Sequence, residues 1–492
     1  MTTSPPSSSD AFGLLHERVR RWIWDQGWSE LRDVQELAAQ TILRGDGDAI
    51  ITAATAAGKT EAAFLPICST LVDEASTGVQ VLYVGPLKAL INDQWRRLDG
   101  LCQSLEIPVH KWHGDVNASA RAKLMRDPDG ILLITPESLE AMFVRRGPEV
   151  ARIFAGLRFI VIDELHAFIG SERGMQLQSL LHRLESVLHR NVRRIGLSAT
   201  LGDMTIAADF LRLPNGRSAA PAVIQADGSS STIMVRLHGF LRGLKPAAEV
   251  LKEGEGEEDD VTSRSIAQHL FKNLRGSNNL VFANARSNVE RYTDLLSRMC
   301  QAASLPQEFH AHHGSLSREL RTDVELRLKE GAGPLTVICT STLEMGIDIG
   351  AVKSVAQIGV PPSVASLRQR LGRSGRRGEP AVLRLYIEEE TVTERTAPQD
   401  AIRAKLVETI AMVNLLLEKW NEPPLADAVH GSTLVQQLLS LIAQYGGITP
   451  VDAYAMLCDR GPFRGITRPM FMELLRSLKT HELIEQVSNG EL

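Results

Sequence analysis

Five short apolar runs in the first 200 residues each end in small, polar or charged residues, and this alternation constrains the fold more than any other feature. Ala49-Ile50-Ile51 leads through Thr52 towards Gly58-Lys59-Thr60, and the run 79–84 leads into Gly85-Pro86-Leu87-Lys88. The runs 131–134, 159–162 and 195–197 lead into Thr135-Pro136-Glu137, Asp163-Glu164-Leu165-His166 and Ser198-Ala199-Thr200. Longer stretches of helical periodicity separate them, the pattern of a parallel sheet with crossover helices. In such sheets ligands sit outside the carboxyl ends of the strands, so five endings of this kind describe one ligand-handling edge. The pattern then restarts. Runs at 280–282, 335–339 and 354–358 precede Ala283-Asn284-Ala285-Arg286, Thr340-Ser341-Thr342 and Gly359-Val360-Pro361-Pro362. Two α/β domains are expected, split near residue 230, and no repeat of 20–50 residues suggests a solenoid or propeller.

Residues 1–10 contain no basic residue and no apolar run, and read as a flexible tail rather than a secretory signal. The first α/β domain is expected over 11–220, a connection and acidic linker over 221–262, and the second domain over 263–395. A helical connector follows over 396–430, where Leu406, Ile410, Val413, Leu417 and Trp420 recur at helical spacing. Residues 431–492 present helix candidates at 433–445, 449–459 and 467–481, then a strand candidate at 483–487. That order outlines a winged-helix-like domain. The sequence stops where a return strand is expected, so either the wing is incomplete or the chain continues.

Of 492 residues, 43% are hydrophobic and 23% charged, ordinary for a soluble protein. No window approaches the roughly 18 consecutive apolar residues of a membrane helix. Cys68, Cys102, Cys300, Cys339 and Cys458 are widely spaced, with no Cys-x-x-Cys. This argues against zinc, an iron–sulfur cluster or a disulfide framework, and for a reducing, cytoplasmic setting. The net charge of −5 would discourage a polyanionic partner, but six acids crowd into residues 253–260. Without them the charge is +1, and without Glu388-Glu389-Glu390 as well it is +4. Bulk charge excludes nothing.

Gly58-Lys59-Thr60, after a buried strand and opening an apolar helix, has the chemistry of a phosphate-binding loop. Backbone N–H groups and the helix N-terminus face phosphate, Lys59 neutralises it, and the Thr60 hydroxyl can ligate magnesium. Ala53 and Ala56 stand where glycine is usual. Asp163-Glu164 ends a strand 104 residues after Lys59. An ATPase needs one carboxylate for the metal and a second for the attacking water, and this pair can supply both. The plainer alternative is an acidic pair at a helix N-terminus. His166 alone reads more readily as a structural histidine, and Trp22 and Trp24 as core. Arg370, Arg373 and Arg376 are spaced to share a face if helical, with Gly372 and Gly375 between them. Like charges there repel and each glycine costs about 1 kcal/mol of helix propensity. Such a segment suits an anion brought close, as arginine fingers do; a basic surface patch is the alternative.

The ordered set Gln35, 53–60, Pro86-Leu87-Lys88, Thr135-Pro136-Glu137, 163–166, Ser198-Ala199-Thr200, 340–350 and 369–376 resembles the superfamily 2 (DEAD/DEAH-box) helicases. Thr60-Glu61-Ala62-Ala63-Phe64-Leu65, the segment 341–348 and Pro362-Ser363-Val364-Ala365-Ser366 are similar to the Lhr-type (large helicase-related) DNA helicases. That resemblance implies two tandem RecA-like domains that bind ATP and Mg²⁺. It implies that Trp28 and Gln35 read adenine, and that Ala53, Thr55, Ala56, Ala57, Gly58, Lys59, Thr60 and Glu61 hold the nucleotide. Lys59, Asp163 and Glu164 match the catalytic residues, with Thr60 and Asp163 on the metal. Gly346, Asp348 and Gln369 match nucleotide-side positions of the second domain, and Arg373 and Arg376 the arginine fingers. Pro86, Lys88, Thr135, Pro136, Glu137, Arg286, Gly314 and Thr340 match the nucleic-acid track. Ser198, Ala199 and Thr200 match the motif coupling hydrolysis to strand movement. Lhr-type cores usually continue well past this length. The implied activity is ATP-driven 3′-to-5′ movement on single-stranded DNA. An RNA helicase or an ATP-gated nucleic-acid clamp in a larger repair or defence complex is the alternative. The C-terminal region is expected to help part strands, to act as a lid, or to dock protein partners.

Overall fold

The computed structural model describes residues 10–53, 58–74, 77–198, 203–213, 219–225, 232–242, 258–331, 333–344, 349–350, 352–375, 380–423 and 429–487. The chain divides into two compact units, Met1–Gly228 with Pro423–Leu492, and Ser229–Glu422.

The first unit is built on seven parallel strands: β1 Ala49–Thr52, β2 Val81–Val84, β3 Val109–Trp112, β4 Ile131–Ile134, β5 Phe159–Ile162, β6 Arg193–Ser198 and β7 Ala222–Gln225. Their order is β3-β4-β2-β5-β6-β1-β7. β1, β2, β4 and β5 are buried at every position, because helices cover both faces and a parallel sheet then needs near-continuous apolar runs. One apolar layer gathers Ile51, Phe64, Tyr83 and Leu197, and the other gathers Leu82, Ile134, Phe143 and Leu180. All the strand ends bearing polar turns point the same way, since every pairing is parallel.

The second unit holds six parallel strands: β8 Ile233–Leu241, β9 Asn279–Ala283, β10 Phe309–His312, β11 Thr336–Cys339, β12 Ser354–Ile358 and β13 Ala381–Glu389. The order is β10-β11-β9-β12-β13-β8. The expected connection at 221–262 therefore needs correcting. It supplies β7 to the first sheet and β8 to the second, and the Glu258–Leu274 helix begins within it. β8 pairs with β13 along nine residues, so backbone pairing rather than full burial holds this half-buried strand. The Ala404–Leu417 helix also departs from its expected stripe. Thr409 and Leu416 are its buried residues, whereas Ile410, Leu417 and, beyond it, Trp420 are exposed.

In the C-terminal part of the first unit, the Gly431–Tyr445, Pro450–Tyr454 and Arg468–Thr480 helices enclose Leu434, Leu438, Leu457, Phe463, Phe471 and Leu475. The strand expected at 483–487 does not form. Those residues lie outside any ladder, and Leu483 and Val487 are exposed. A strand needs a hydrogen-bonding neighbour, and none lies beside it among the described residues.

Candidate functional site

The carboxyl ends of β1, β2, β5 and β6 assemble the first group of expected residues. Gly58 caps the Lys59–Leu71 helix with φ +84°, a left-handed conformation that side chains resist. A Cβ there would lie 2.7 Å from Gln35 Nε2, so glycine lets the glutamine pack directly on the loop. Gln35 is itself buried, and its Oε1 accepts from the Arg32 N–H at 3.0 Å. Lys59 Nζ donates to the Ala53 carbonyl at 2.8 Å, bridging the two ends of the loop. Thr60 is buried on the first turn of the same helix. Glu61 pairs with Arg97 at 2.5 Å.

Asp163 follows β5 and is buried, with Tyr83 Oη donating to one oxygen and the Glu164 N–H to the other at 2.9 Å. Burial and the neighbouring Glu164 charge push its carboxyl up to about 6, although the Tyr83 bond and Lys59 pull the other way. Glu164 has φ +48°, left-handed backbone of the kind that costs about 1–3 kcal/mol and gathers at functional sites. His166 Nδ1 lies 3.1 Å from Ser198 Oγ and 3.6 Å from Glu164 Oε2. The imidazole thus links the acidic turn to the end of β6. A hydroxyl oxygen on Thr60 and a carboxylate oxygen on Asp163 are hard donors that suit magnesium, and a cation would offset the buried charge on Asp163.

The neighbouring turns form a second cluster. Pro86 and Thr135 are buried, Lys88 is exposed at the first turn of the Lys88–Ser104 helix, and Lys88 Nζ reaches Asp115 at 3.4 Å. Thr135 caps the Pro136–Arg146 helix, with proline at its first position, where a missing N–H costs nothing. Arg173 ties these turns together, donating from Nη2 to the Pro86 carbonyl at 2.8 Å and from Nε to Glu137 at 2.6 Å. Burial raises Glu137, but the Arg173 bond and the helix-start N–H outweigh it, holding the carboxyl below its usual range.

In the second unit Arg286, Gly314 and Thr340 stand just beyond β9, β10 and β11. Arg286 Nη1 donates to Ser315 Oγ, the Thr340 N–H reaches the His312 carbonyl at 3.3 Å, and the space beside Gly314 is open. The arginine segment is not one helix face. The Val364–Leu371 helix ends before Arg373, so Arg370 and Arg373 take different surroundings. Arg370 donates from Nε and Nη2 to Glu344 Oε2 at 2.9 and 2.8 Å, from Nη1 to Gln357, and stacks 4.7 Å from the Phe282 ring. Arg373, only 2% exposed, donates from Nη2 to the Glu344 carbonyl at 2.8 Å. Gln369 is half-buried on the helix.

Thr55, Ala56, Ala57, Ala199, Thr200, Gly346, Asp348 and Arg376 lie outside the described residues. Trp28 packs edge-on against Trp22 at 5.7 Å beside the first core, whereas Trp24, expected inside, is 44% exposed. Sequence reasoning missed Tyr83, Arg173 and Glu344. A hydroxyl in the buried run 79–84 was a usable signal, because such a group needs a partner. Glu344 lies within the 340–350 motif but its type alone suggests no role there, and nothing local distinguishes Arg173.

Residues 32–208 match the DEAD/DEAH box helicase family and 262–378 the helicase conserved C-terminal domain. The chain is 32% identical over 75% of its length to the ATP-dependent helicase Lhr-Core of Methanothermobacter thermautotrophicus, covering 43% of that protein. It is 32% identical over 76% of its length to the Lhr helicase/uracil glycosylase of Escherichia coli, covering 27% of it. The solved structure of the Mycobacterium smegmatis helicase Lhr bound to ssDNA and AMP-PNP superposes with a TM-score of 0.77 at 28% identity. That alignment takes in 96% of this chain and 58% of the other. The chain therefore spans less than two thirds of these relatives. Two parallel sheets carrying the ordered motifs, both helicase domains and these likenesses agree: the chain belongs to the superfamily 2 helicases, of the Lhr type.

Proposed function

We propose that this chain is the motor portion of an ATP-dependent, magnesium-requiring nucleic-acid helicase that moves 3′-to-5′ on single-stranded DNA. The observation that carries this reading is the buried Asp163 carboxyl close to the Lys59 charge, on the edge where Gln35, Gly58 and Thr60 meet. Lys59 and Tyr83 offset part of that charge, and a cation would offset the rest, while Lys59 can exchange the Ala53 carbonyl for an anion. A magnesium nucleotide supplies both.

Lys59 exchanges the Ala53 carbonyl for the β/γ-phosphates, and the Lys59–Leu71 helix N-terminus adds its dipole. Thr60 and Asp163 would hold magnesium, which neutralises phosphate charge when bound. Glu164 orients the attacking water and takes its proton. Arg373 and Arg376 stabilise the charge that develops on the γ-phosphate. The His166–Ser198 bond passes the state of the acidic turn to the residues after β6. Pro86, Lys88, Thr135, Arg286, Gly314 and Thr340 grip backbone phosphates, so binding is sequence-tolerant and weakens steeply with salt. Single-stranded DNA is favoured because the 28% identical relative was solved with it.

Lys59→Ala is expected to lower nucleic-acid-stimulated ATP hydrolysis by about 10²-fold or more, the scale for losing one transition-state charge partner. Circular dichroism is expected to be unchanged. Wild-type turnover in this variant would reject the site.

A further inference from the structure

Arg183 has no exposed surface, yet it belongs to none of the motifs of the nucleotide edge. It sits in the Glu172–Leu188 helix and reaches the Gly431–Tyr445 helix with most of its donors. Nε and Nη2 donate to Gln444 Oε1 at 2.9 and 2.6 Å, Nη2 to Ser440 Oγ at 3.0 Å, and Nη1 to Gln437 Oε1 at 3.1 Å. Its counter-charge is Glu140 at 3.4 Å, on the Pro136–Arg146 helix. Glu140 in turn accepts from Gln437, Ser440 and, at 3.1 Å, Gln176. Burial presses the guanidinium below its usual range, and Glu140 opposes that pressure. At the far end of the contact a side chain on Gly147 would collide with the Gln444 carbonyl.

Burying such a pair is expensive, and well-packed apolar residues often serve stability as well or better. What the polar network adds is a fixed geometry. Both helices it clamps begin at the proposed nucleic-acid track. One starts at Thr135-Pro136-Glu137, and the other presents Arg173, which holds Glu137 and the Pro86 carbonyl. We propose that Arg183 and Glu140 are positioning residues. By locking the C-terminal helices onto the two track helices, they fix the spacing of the Pro86 and Thr135 turns that grip the strand. This rests on the nucleic-acid reading of those turns.

The test uses the full chain with Arg183→Met combined with Glu140→Leu, which removes both charges and keeps side-chain bulk. ATP hydrolysis is measured against the concentration of a single-stranded DNA oligonucleotide, with thermal unfolding alongside. The DNA concentration for half-maximal stimulation is expected to rise about tenfold or more. Unstimulated hydrolysis and the rate at saturating DNA stay within about twofold of wild type. Gln444→Ala keeps the ion pair and removes the acceptor of two Arg183 bonds; it is expected to raise the same concentration about threefold. It also serves if the double variant does not fold. An unchanged half-stimulating concentration in folded variants overturns the proposal, as does a fall in saturated rate without that shift. Absence of stimulation in the wild type would instead overturn the nucleic-acid reading beneath it.

Discussion

Asp163 in the first unit and Arg370 in the second are equally buried charged residues, and their surroundings treat them in opposite ways. Asp163 has a phenol and one backbone N–H as hydrogen-bond partners, and Glu164 adds like charge that Lys59 offsets only in part. Arg370 has Glu344 on two nitrogens, Gln357 on a third and the Phe282 ring beneath it. The first keeps a raised pKa, which the proposed cation would relieve. The second is complete without a ligand, and its Glu344 also supplies the carbonyl that holds Arg373. A residue within a motif can therefore be framework, while the finger role proposed above falls to its neighbour three positions on.

The sharpest way to break this contrast is at Glu164. Glu164→Gln keeps size and removes the base, so turnover is expected to fall about 10²–10⁴-fold, with nucleotide affinity retained. Loss of affinity with no loss of turnover would place Glu164 in binding instead. Next is the framework side. Glu344→Gln leaves Arg370 buried without its counter-ion and is expected to destabilise the second unit by about 3–5 kcal/mol. Chemical denaturation should then show that unit melting early while the first keeps its midpoint. Coincident, unshifted transitions would mean the pair is not the framework.

The smallest effect concerns pH. Because Asp163 has a raised pKa in the folded state, the folded protein holds its proton more tightly than the unfolded chain. Stability without metal or nucleotide is then expected to decline as pH rises from about 4 to 6, and to stay lower above it. Asp163→Asn should remove that decline and gain on the order of 2–3 kcal/mol at pH 7 in chelator. An identical pH profile for both proteins would show that the carboxyl is not under electrostatic stress.

The interior strands were legible because burial on both faces demands apolar runs, as in Ile131–Ile134 and Phe159–Ile162. The edge strands were not. Val109–Trp112, Ala222–Gln225, Ile233–Leu241 and Phe309–His312 flank the sheets, are partly exposed, and so carry histidine, lysine or glutamine instead of a run. Ala381–Glu389 lies inside its sheet but was masked by Arg384 and its acidic end. At the site, turn residues announced themselves by type and order. Tyr83, Arg173 and Glu344 act through partners 80, 87 and 29 residues away, a proximity only the fold creates.

The claim on which the rest depends is the finger role proposed for the Arg373 guanidinium in ATP hydrolysis. The direct measurement is ATP affinity and DNA-stimulated hydrolysis, side by side, for Arg373→Lys, which retains a charge while losing the planar fork. The account predicts near-wild-type affinity with hydrolysis reduced about 10³-fold or more. Full hydrolysis in a folded variant, or weakened binding with an unchanged rate at saturation, would contradict it.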